Sequence, residues 1–448
     1  MSVTDGTIAN TALPTIAREL HASAAESIWV VNGFQLAVTM TLLTFASLGD
    51  ARGSTFVYRF GIVVFTLGSL WCALSHSLAM LVTARIAQGV GGAALMAVGP
   101  ALYREIFPSN QFGRALGISG VVVATSSAAG PTLGGTVLHF AAWPWLFAVN
   151  VPLGIFDTFF AASALPKTIG SGNRLDIPSI FVSALGFGAL IYGVDGFARH
   201  ESPLFIAVEL GLAALATFAF VRRQRALTRP MLAIDLFAMP VFTLAALTSL
   251  GTYVAQGLAY VSLPFFFQSA LGRSPFESGL LLTSWPLCTA LIAPIAGRLS
   301  DRYSAGVLST IGLAIMASGL ALYASQAAHP STIEIVLHGA ICGLGFGFFQ
   351  SPNNRELIGS APRSKISSAS GILAGVRLTG QTLGTALVAI VFATFGTTLA
   401  LGGNHLGALA RTATPISLWL ACASAAAGMI ASGIRLITNR RNKTSAQT

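Results

Sequence analysis

Leu78 to Ala101 reads LAMLVTARIAQGVGGAALMAVGPA, 24 residues carrying a single charge, Arg85. As a helix rising about 1.5 Å per residue it covers roughly 36 Å, more than the hydrocarbon core of about 30 Å. Runs of the same kind follow one another along the whole chain, separated by short charged or Pro/Gly breaks. Of the 448 residues, 54% are hydrophobic and 9% are charged. Soluble domains carry about 25% charge, so this chain cannot coat a soluble fold of its size. The bilayer is its expected solvent, and an all-α polytopic membrane protein its expected class.

The apolar runs give fourteen candidate spans. The first six lie near 2–17, 28–48, 57–75, 78–101, 114–138 and 144–164. Two more cover 177–197 and 203–221, between the basic breaks Lys167 to Arg174 and Arg222 to Arg229. The last six lie near 240–267, 277–296, 306–326, 331–350, 368–395 and 414–437. This divides the chain into a six-helix bundle (1–165), an accessory two-helix segment with its linker (166–237), a second six-helix bundle (238–438) and a tail (439–448). An even number of spans puts both termini on one side. Of the 25 Lys and Arg residues, the even-numbered breaks and the tail, counted with the span ends beside them, hold 19, the odd-numbered breaks hold four (Arg18, Arg199, Arg273, Arg411) and the span interiors hold Arg85 and Arg377. That bias predicts cytoplasmic termini. It also explains the net charge of +10 as a topology signal, so no nucleic-acid partner is expected.

The loop after the second span contains Asp50 and Arg52, and the loop after the tenth contains Gly297, Arg298, Asp301 and Arg302. An acidic–basic cluster at the same place in each six-helix block is the weak internal symmetry of a transporter built from two similar halves. Cys72, Cys288, Cys342 and Cys422 all fall inside apolar runs without C-x-x-C spacing, which argues for small core residues over disulfides or zinc. The seven histidines show no metal-ligand spacing, with His338 alone expected inside a span. No G-x-x-x-x-G-K-[ST] phosphate loop occurs, and the first segment lacks the basic n-region and cleavage site of a signal peptide.

Several motifs, in this order and at these spacings, resemble the fourteen-span drug:proton antiporters of the major facilitator superfamily, over essentially the whole chain. Asp5-Gly6-Thr7-Ile8-Ala9-Asn10 followed by Ala12-Leu13-Pro14 is similar to that family's first-span signature. Arg85-Ile86-Ala87-Gln88-Gly89 and Gly91 match R-x-x-Q-G-x-G. Gly130-Pro131-Thr132-Leu133-Gly134-Gly135 resembles the antiporter motif of the fifth span. Asn150-Val151-Pro152-Leu153-Gly154, Gln350-Ser351-Pro352-Asn353-Asn354 and Ala369-Ser370-Gly371 with Arg377 complete the likeness.

Three departures stand out. Ala51, Ser54 and Thr55 replace basic residues of the family's loop after the second span, leaving Arg52 and Arg59. Pro144 stands where many relatives have Arg. Asp5 lies only four residues, about 6 Å of helix, from Met1, whereas a coupling acid is expected near mid-membrane. The expectation drawn is a start about ten residues late.

An ionised side chain at the centre of a spanning helix costs about 2.5–3.5 kcal/mol, which singles out the charges inside spans. Asp5 is the candidate proton site, the alternative being a helix-terminal Asp at the cytoplasmic surface. Arg85 cannot deprotonate; it tunes a nearby acid, with Gln88 one turn away, or bonds neighbouring backbone carbonyls. Asp157 and Glu209 are candidate second acids, and Asp195 is expected to be solvated at the outer surface. The resemblance adds Asn10, Gly89, Arg377 and Gln381 as cavity or motif residues. Gly130, Pro131, Gly134 and Gly135 read as a kinked, closely packed helix. Asp50 with Arg52, and Asp301 with Arg298 or Arg302, read as cytoplasmic gate contacts or as plain topology charge. Trp29, Phe34, Tyr253, Tyr260 and Trp285 are candidate cavity aromatics, with interfacial or lipid-facing packing the alternative.

The resemblance implies a proton-driven exporter of small hydrophobic, often cationic compounds in a bacterial inner membrane. The proton gradient replaces any cofactor. The expected partners are the substrate and the bilayer, with a periplasmic adaptor and outer-membrane channel as a further candidate pair. The alternatives are a transporter dedicated to one metabolite in the same fold and, more remotely, a non-transporting membrane sensor or enzyme.

Overall fold

The computed structural model describes residues 2–108, 112–166, 168, 170, 172, 175–227, 230–326, 329–362, 365–398 and 405–445. The break markers Lys167, Arg174 and Arg229 lie outside them. The chain forms helices throughout and divides into two compact units, residues 1–223 with 274–279, and 224–273 with 280–448.

The first unit holds α1 (Ser2–Glu19), α2 (Ala24–Ser27), α3 (Trp29–Arg52), α4 (Ser54–Ala73), α5 (Leu78–Ile106), α6 (Phe112–Phe140), α7 (Trp145–Ala148), α8 (Asn150–Ala164), α9 (Ile177–Ala198) and α10 (Pro203–Ala226). The second holds a short 3-10 turn (Ile234–Ala238), α11 (Pro240–Phe265) continued by a π turn (Phe266–Ala270), α12 (Pro275–Leu299), α13 (Ala305–Ala324), α14 (Thr332–Ser360), α15 (Ile366–Thr398) and α16 (His405–Ser445). Of α12, residues 275–279 belong to the first unit and the rest to the second. Twelve helices among the described residues are long and apolar enough to cross a membrane. They fall where twelve of the fourteen runs are expected, and α1 and α6 occupy the places of the first and fifth.

Local chemistry starts and stops these helices. Ser23 with Glu26, and Ser331 with Glu334, form reciprocal capping boxes that satisfy otherwise orphaned first-turn amides. Gly53 ends α3 at φ 99°, a left-handed conformation that favours glycine. A side chain there would also strike Thr168. The small residues flanking it have a use of their own. The Thr55 amide donates to Thr168 Oγ1 (3.0 Å) and the Thr55 hydroxyl to the Pro166 carbonyl (2.7 Å), while the Gly172 amide donates to the Ala51 carbonyl (3.2 Å). The departure at Ala51 and Thr55 therefore accommodates the strand of loop that follows α8.

The accessory helices are tied in by charge. From the sequence Asp195 is expected to be solvated; it is instead 2% exposed. It accepts from Trp29 Nε1 (3.1 Å) on α3 and from Arg199 Nε (3.0 Å). Trp29 thus anchors α9 to α3, and one turn at the end of an apolar helix was too little sequence to reveal a partner 166 residues away. At the other end Arg223 of α10 donates to Asp176 through Nη2 (2.6 Å) and Nε (3.1 Å). These bonds, opposed in part by burial and helped by Ser179, hold the Asp176 carboxyl below its ordinary value of 3.8. A depressed acid stabilises the fold above its unfolded value and loses that contribution as pH falls through the lower folded value. Asp176→Asn should therefore melt below the parent at pH 7, with the gap closing as pH drops below 3.8; circular-dichroism melts across pH 3 to 7 would show it, and a gap that persists in acid would remove the ion pair as its cause.

In the second unit α11 packs on α15 and α16, and α13 on α14 and α16. Arg435, counted with the basic tail from sequence, is fully buried inside α16. It donates to Asn353 Oδ1 (2.7 Å) and Ser432 Oγ (3.1 Å) and lies 3.3 Å from a Glu356 carboxylate oxygen. Asn353 in turn donates to Ser249 Oγ (2.8 Å) on α11. This buried charge was missed because it stands only five residues before Arg440-Arg441, where it looks like part of the topology signal.

Candidate functional site

Glycine spacing on α5 sets the site. A β-carbon on Gly89 would lie 2.6 Å from the Phe34 carbonyl oxygen of α3, and one on Gly91 2.8 Å from the Gly61 carbonyl oxygen of α4. Gly89 is therefore a packing residue that lets α3 approach. With both neighbours this near, the face of α5 carrying Arg85 and Gln88, one turn apart, is enclosed. Gly130 and Gly134 of α6 lie against Thr7 and Ile8 and seat α1 in the same unit. Pro131 and Gly135 lie against Gly279, Pro275 and Phe276, at the start of α12.

Asp5 is brought to this enclosed face, 2% exposed, beside Arg85 and Gln88, both fully buried. Arg85 Nη1 forms an ion pair with Asp5 Oδ2. Asp5 Oδ1 accepts from Gln88 Nε2 (3.1 Å) and from Asn150 Nδ2 (2.8 Å) at the head of α8. Arg85 also donates to Gln88 Oε1 (2.6 Å) and, through Nε, to the Val30 carbonyl (2.9 Å). Gln88 donates onward to Ser69 Oγ (2.8 Å) on α4. The guanidinium lies over Phe34 (4.4 Å to the ring centre) and near Phe147 (5.4 Å), whose ring faces attract cations. Arg85 Nη2 has no acceptor among the described residues.

Donors from α5 and α8 thus converge on one carboxylate of α1, while α3, α4 and α7 hold the donors. Three donors are aimed at it, and the network is complete only while Asp5 is ionised; a proton on Asp5 would remove both its charge and part of its acceptor capacity. Sequence reasoning found Asp5, Arg85 and Gln88. Asn150 was quoted only as part of a motif and Phe34 only as a candidate cavity aromatic, while Ser69 and the Val30 carbonyl carry no signal that distinguishes them from ordinary helix residues.

The other candidates lie apart from this cluster. Asn10 is buried farther along α1, its Oδ1 without a partner among the described residues. Asp157, half-buried two turns along α8 from Asn150, hydrogen-bonds Tyr58. Glu209 is half-buried against Gly193 of α9. Asp50 and Arg52 are both exposed at the end of α3. Asp301 pairs with Arg355 of α14, and not with its neighbours Arg298 or Arg302; a helix end presents adjacent side chains in different directions, so the partner comes from the next helix. Gly297 packs near Ser351 of α14, and Arg302 is exposed. In the second unit Arg377 lies over the Tyr253 ring (5.7 Å), and Gln381 donates to Gln256 (2.9 Å).

Membrane-length helices enclosing an ionisable pair define a polytopic membrane transporter. The model of the Major Facilitator Superfamily matches residues 1–258 and 241–446, and the chain belongs to that superfamily, among members of the drug:proton antiporter type. It is 49% identical to the uncharacterized transporter YebQ of Escherichia coli, over 95% of this chain and 92% of that one. It is 34% identical to the riboflavin transporter RibZ of Clostridioides difficile (88% and 86%), and 30% identical to the multidrug resistance protein Stp of Mycobacterium tuberculosis (87% and 73%). Among solved structures, a bacterial homologue of the human lysosomal transporter Spinster shares the fold, with a TM-score of 0.70 at 14% identity over 97% of this chain and 95% of that one.

Proposed function

We propose that this transporter exports small hydrophobic compounds across a bacterial inner membrane in exchange for protons, by alternating access, with both termini in the cytoplasm. The observation that carries the proposal is the Asp5 carboxylate, buried with three donors, one of them the Arg85 guanidinium. Such a group exists in two states of different charge and different bonding. Protonation removes the charge that holds Arg85 and weakens what Asp5 accepts from Gln88 and Asn150, which gives a proton leverage over how the surrounding helices pack. Coupling through this acid requires a membrane potential or pH gradient and no nucleotide; the potential contributes about 2.3 kcal/mol per charge per 100 mV. The 30% identity to a multidrug resistance protein supports a drug-like cargo. A second reading, one dedicated metabolite, is favoured by the 34% identity to a riboflavin transporter. The proposal includes no periplasmic adaptor or outer-membrane channel.

Everted membrane vesicles from cells producing the protein test this. An imposed gradient, acidic in the lumen, should drive accumulation of a fluorescent aromatic dye without ATP, and nigericin should abolish it. Accumulation that survives nigericin, or that needs ATP, would overturn proton exchange.

A further inference from the structure

The polar interior of the second unit is built from α11, α12, α14 and α15. Tyr253, Gln256 and Tyr260 share one face of α11, at spacings of three and four residues. Gln381 of α15 donates to Gln256, and Arg377, one turn earlier on α15, lies over Tyr253. Gln350 of α14 reaches the Tyr253 hydroxyl at 3.5 Å, and Trp285 of α12 meets Tyr260 edge-on at 5.3 Å. Gly380 and Gly384 bring α15 onto the α11 backbone, which is why these side chains meet.

The charge balance there is one-sided. Every acid of the second unit is committed elsewhere: Asp235 to Lys365, Asp301 to Arg355, Glu356 to Arg435, and Glu334 to the Ser331 amide. Arg377 is half-buried about 14 Å along the candidate span Ser368–Gly396, and the Tyr253 ring is its partner among the described residues. Trp285 Nε1 is a buried donor without an acceptor among them. A guanidinium at that depth is costly unless something offsets it. In the first unit the site is neutral, because Asp5 is matched by Arg85.

We infer that the second unit recognises planar aromatic anions, with Arg377 holding a carboxylate or similar oxyanion against the Tyr253, Tyr260 and Trp285 rings. The inference rests on the export reading and deepens it, replacing the cationic cargo expected from the sequence. A guanidinium presents planar paired donors that match a carboxylate, and the three glutamines supply both donors and acceptors to heteroatoms on a ring system. A monovalent organic cation held about 6 Å from Arg377 is disfavoured by roughly a hundredfold at an effective dielectric near 20. The membrane potential agrees in sign: under an inside-negative potential an anion leaving and a proton entering both move downhill, whereas expulsion of a cation opposes it.

The test is fluorescence anisotropy on the purified full chain in detergent, with fluorescein as a planar aromatic anion and ethidium as a planar aromatic cation. Fluorescein should bind and ethidium should bind at least tenfold more weakly. Arg377→Gln should weaken fluorescein about tenfold or more, by loss of a charged hydrogen bond, and leave ethidium unchanged or tighter; Arg377→Lys should recover part of the loss. Trp285→Phe, which keeps the ring packing, should weaken fluorescein by a smaller factor, and this keeps the test open if the Arg377 variants do not fold. Tighter binding of ethidium, no binding of fluorescein, or equal loss of both dyes in Arg377→Gln and Arg377→Lys would overturn the inference. Fluorescein bound through Arg377 but not accumulated in energised everted vesicles would instead overturn the export reading and leave the recognition intact.

Discussion

Asp5→Asn should lose all proton-driven accumulation while still binding substrate and exchanging it across the membrane. One pH unit is worth about 1.4 kcal/mol per proton, which supports roughly tenfold accumulation at one proton per substrate, and the variant should fall to none. Asparagine keeps the shape of Asp5 and one acceptor oxygen, and Arg85 retains Val30, Gln88 and the Phe34 ring, so the fold should survive. Arg85→Met is the more damaging change. It leaves a buried carboxylate with Gln88 and Asn150 as its donors, and breaking a buried pair from one side costs about 3–5 kcal/mol. The double variant Asp5→Asn/Arg85→Met removes both charges and should melt closer to the parent than Arg85→Met alone, without regaining coupling. Two measurements decide this: vesicle accumulation against a fixed pH gradient, and melting temperature in detergent. Accumulation retained by Asp5→Asn and lost by Glu209→Gln or Asp157→Asn would move the coupling site to those acids. A double variant no more stable than Arg85→Met would show that the ion pair is not what holds the network together.

Gly91→Val should unfold the first unit or leave it unable to assemble the site. The added β-carbon meets the Phe65 amide nitrogen and sits 2.8 Å from the Gly61 carbonyl oxygen. Both are backbone atoms of α4, which cannot turn aside as a flexible side chain can. Overpacking costs about 1–3 kcal/mol and occasionally more; with backbone on the far side roughly 3 kcal/mol is the expected scale. Moving α5 off α4 also separates Gln88 from Ser69, so the hydrogen-bond network around Asp5 loses its outer link together with the helix contact. A lower yield of folded protein, an earlier melting transition and loss of accumulation should appear together. Gly99→Val on the same helix, where nothing lies within 4 Å of the added carbon, is the control and should behave as the parent. A Gly91→Val protein with parental melting and transport would mean that α4 and α5 tolerate a wider separation than their contact implies.

Some of this was legible in the sequence because it depends on composition along the chain. Helices fell where the apolar runs were long, since a segment in hydrocarbon must satisfy its own backbone and does so as a helix. Arg85 and Asp5 stood out because charges are rare inside such runs. Partners were not legible, because a partner is set by which helix comes alongside and by rotation about its axis. Asp195 shows this: its place at a helix end suggested water, and packing of α9 on α3 gave it Trp29. Asp301 shows it again, bound to Arg355 across 54 positions when Arg302 is its neighbour in sequence. Arg435 was hidden by the basic tail next to it.

The sequence alone determined that the chain is a series of membrane-length helices, since hydrophobic length and sparse charge are properties each segment carries by itself. Only the tertiary structure decided that Asp5, Arg85, Gln88 and Asn150 share one enclosed site, and that Arg377 stands among aromatics and amides while the acids of the second unit are committed elsewhere. Those are facts of approach between helices, fixed by glycine contacts and buried hydrogen bonds that act across tens to hundreds of residues.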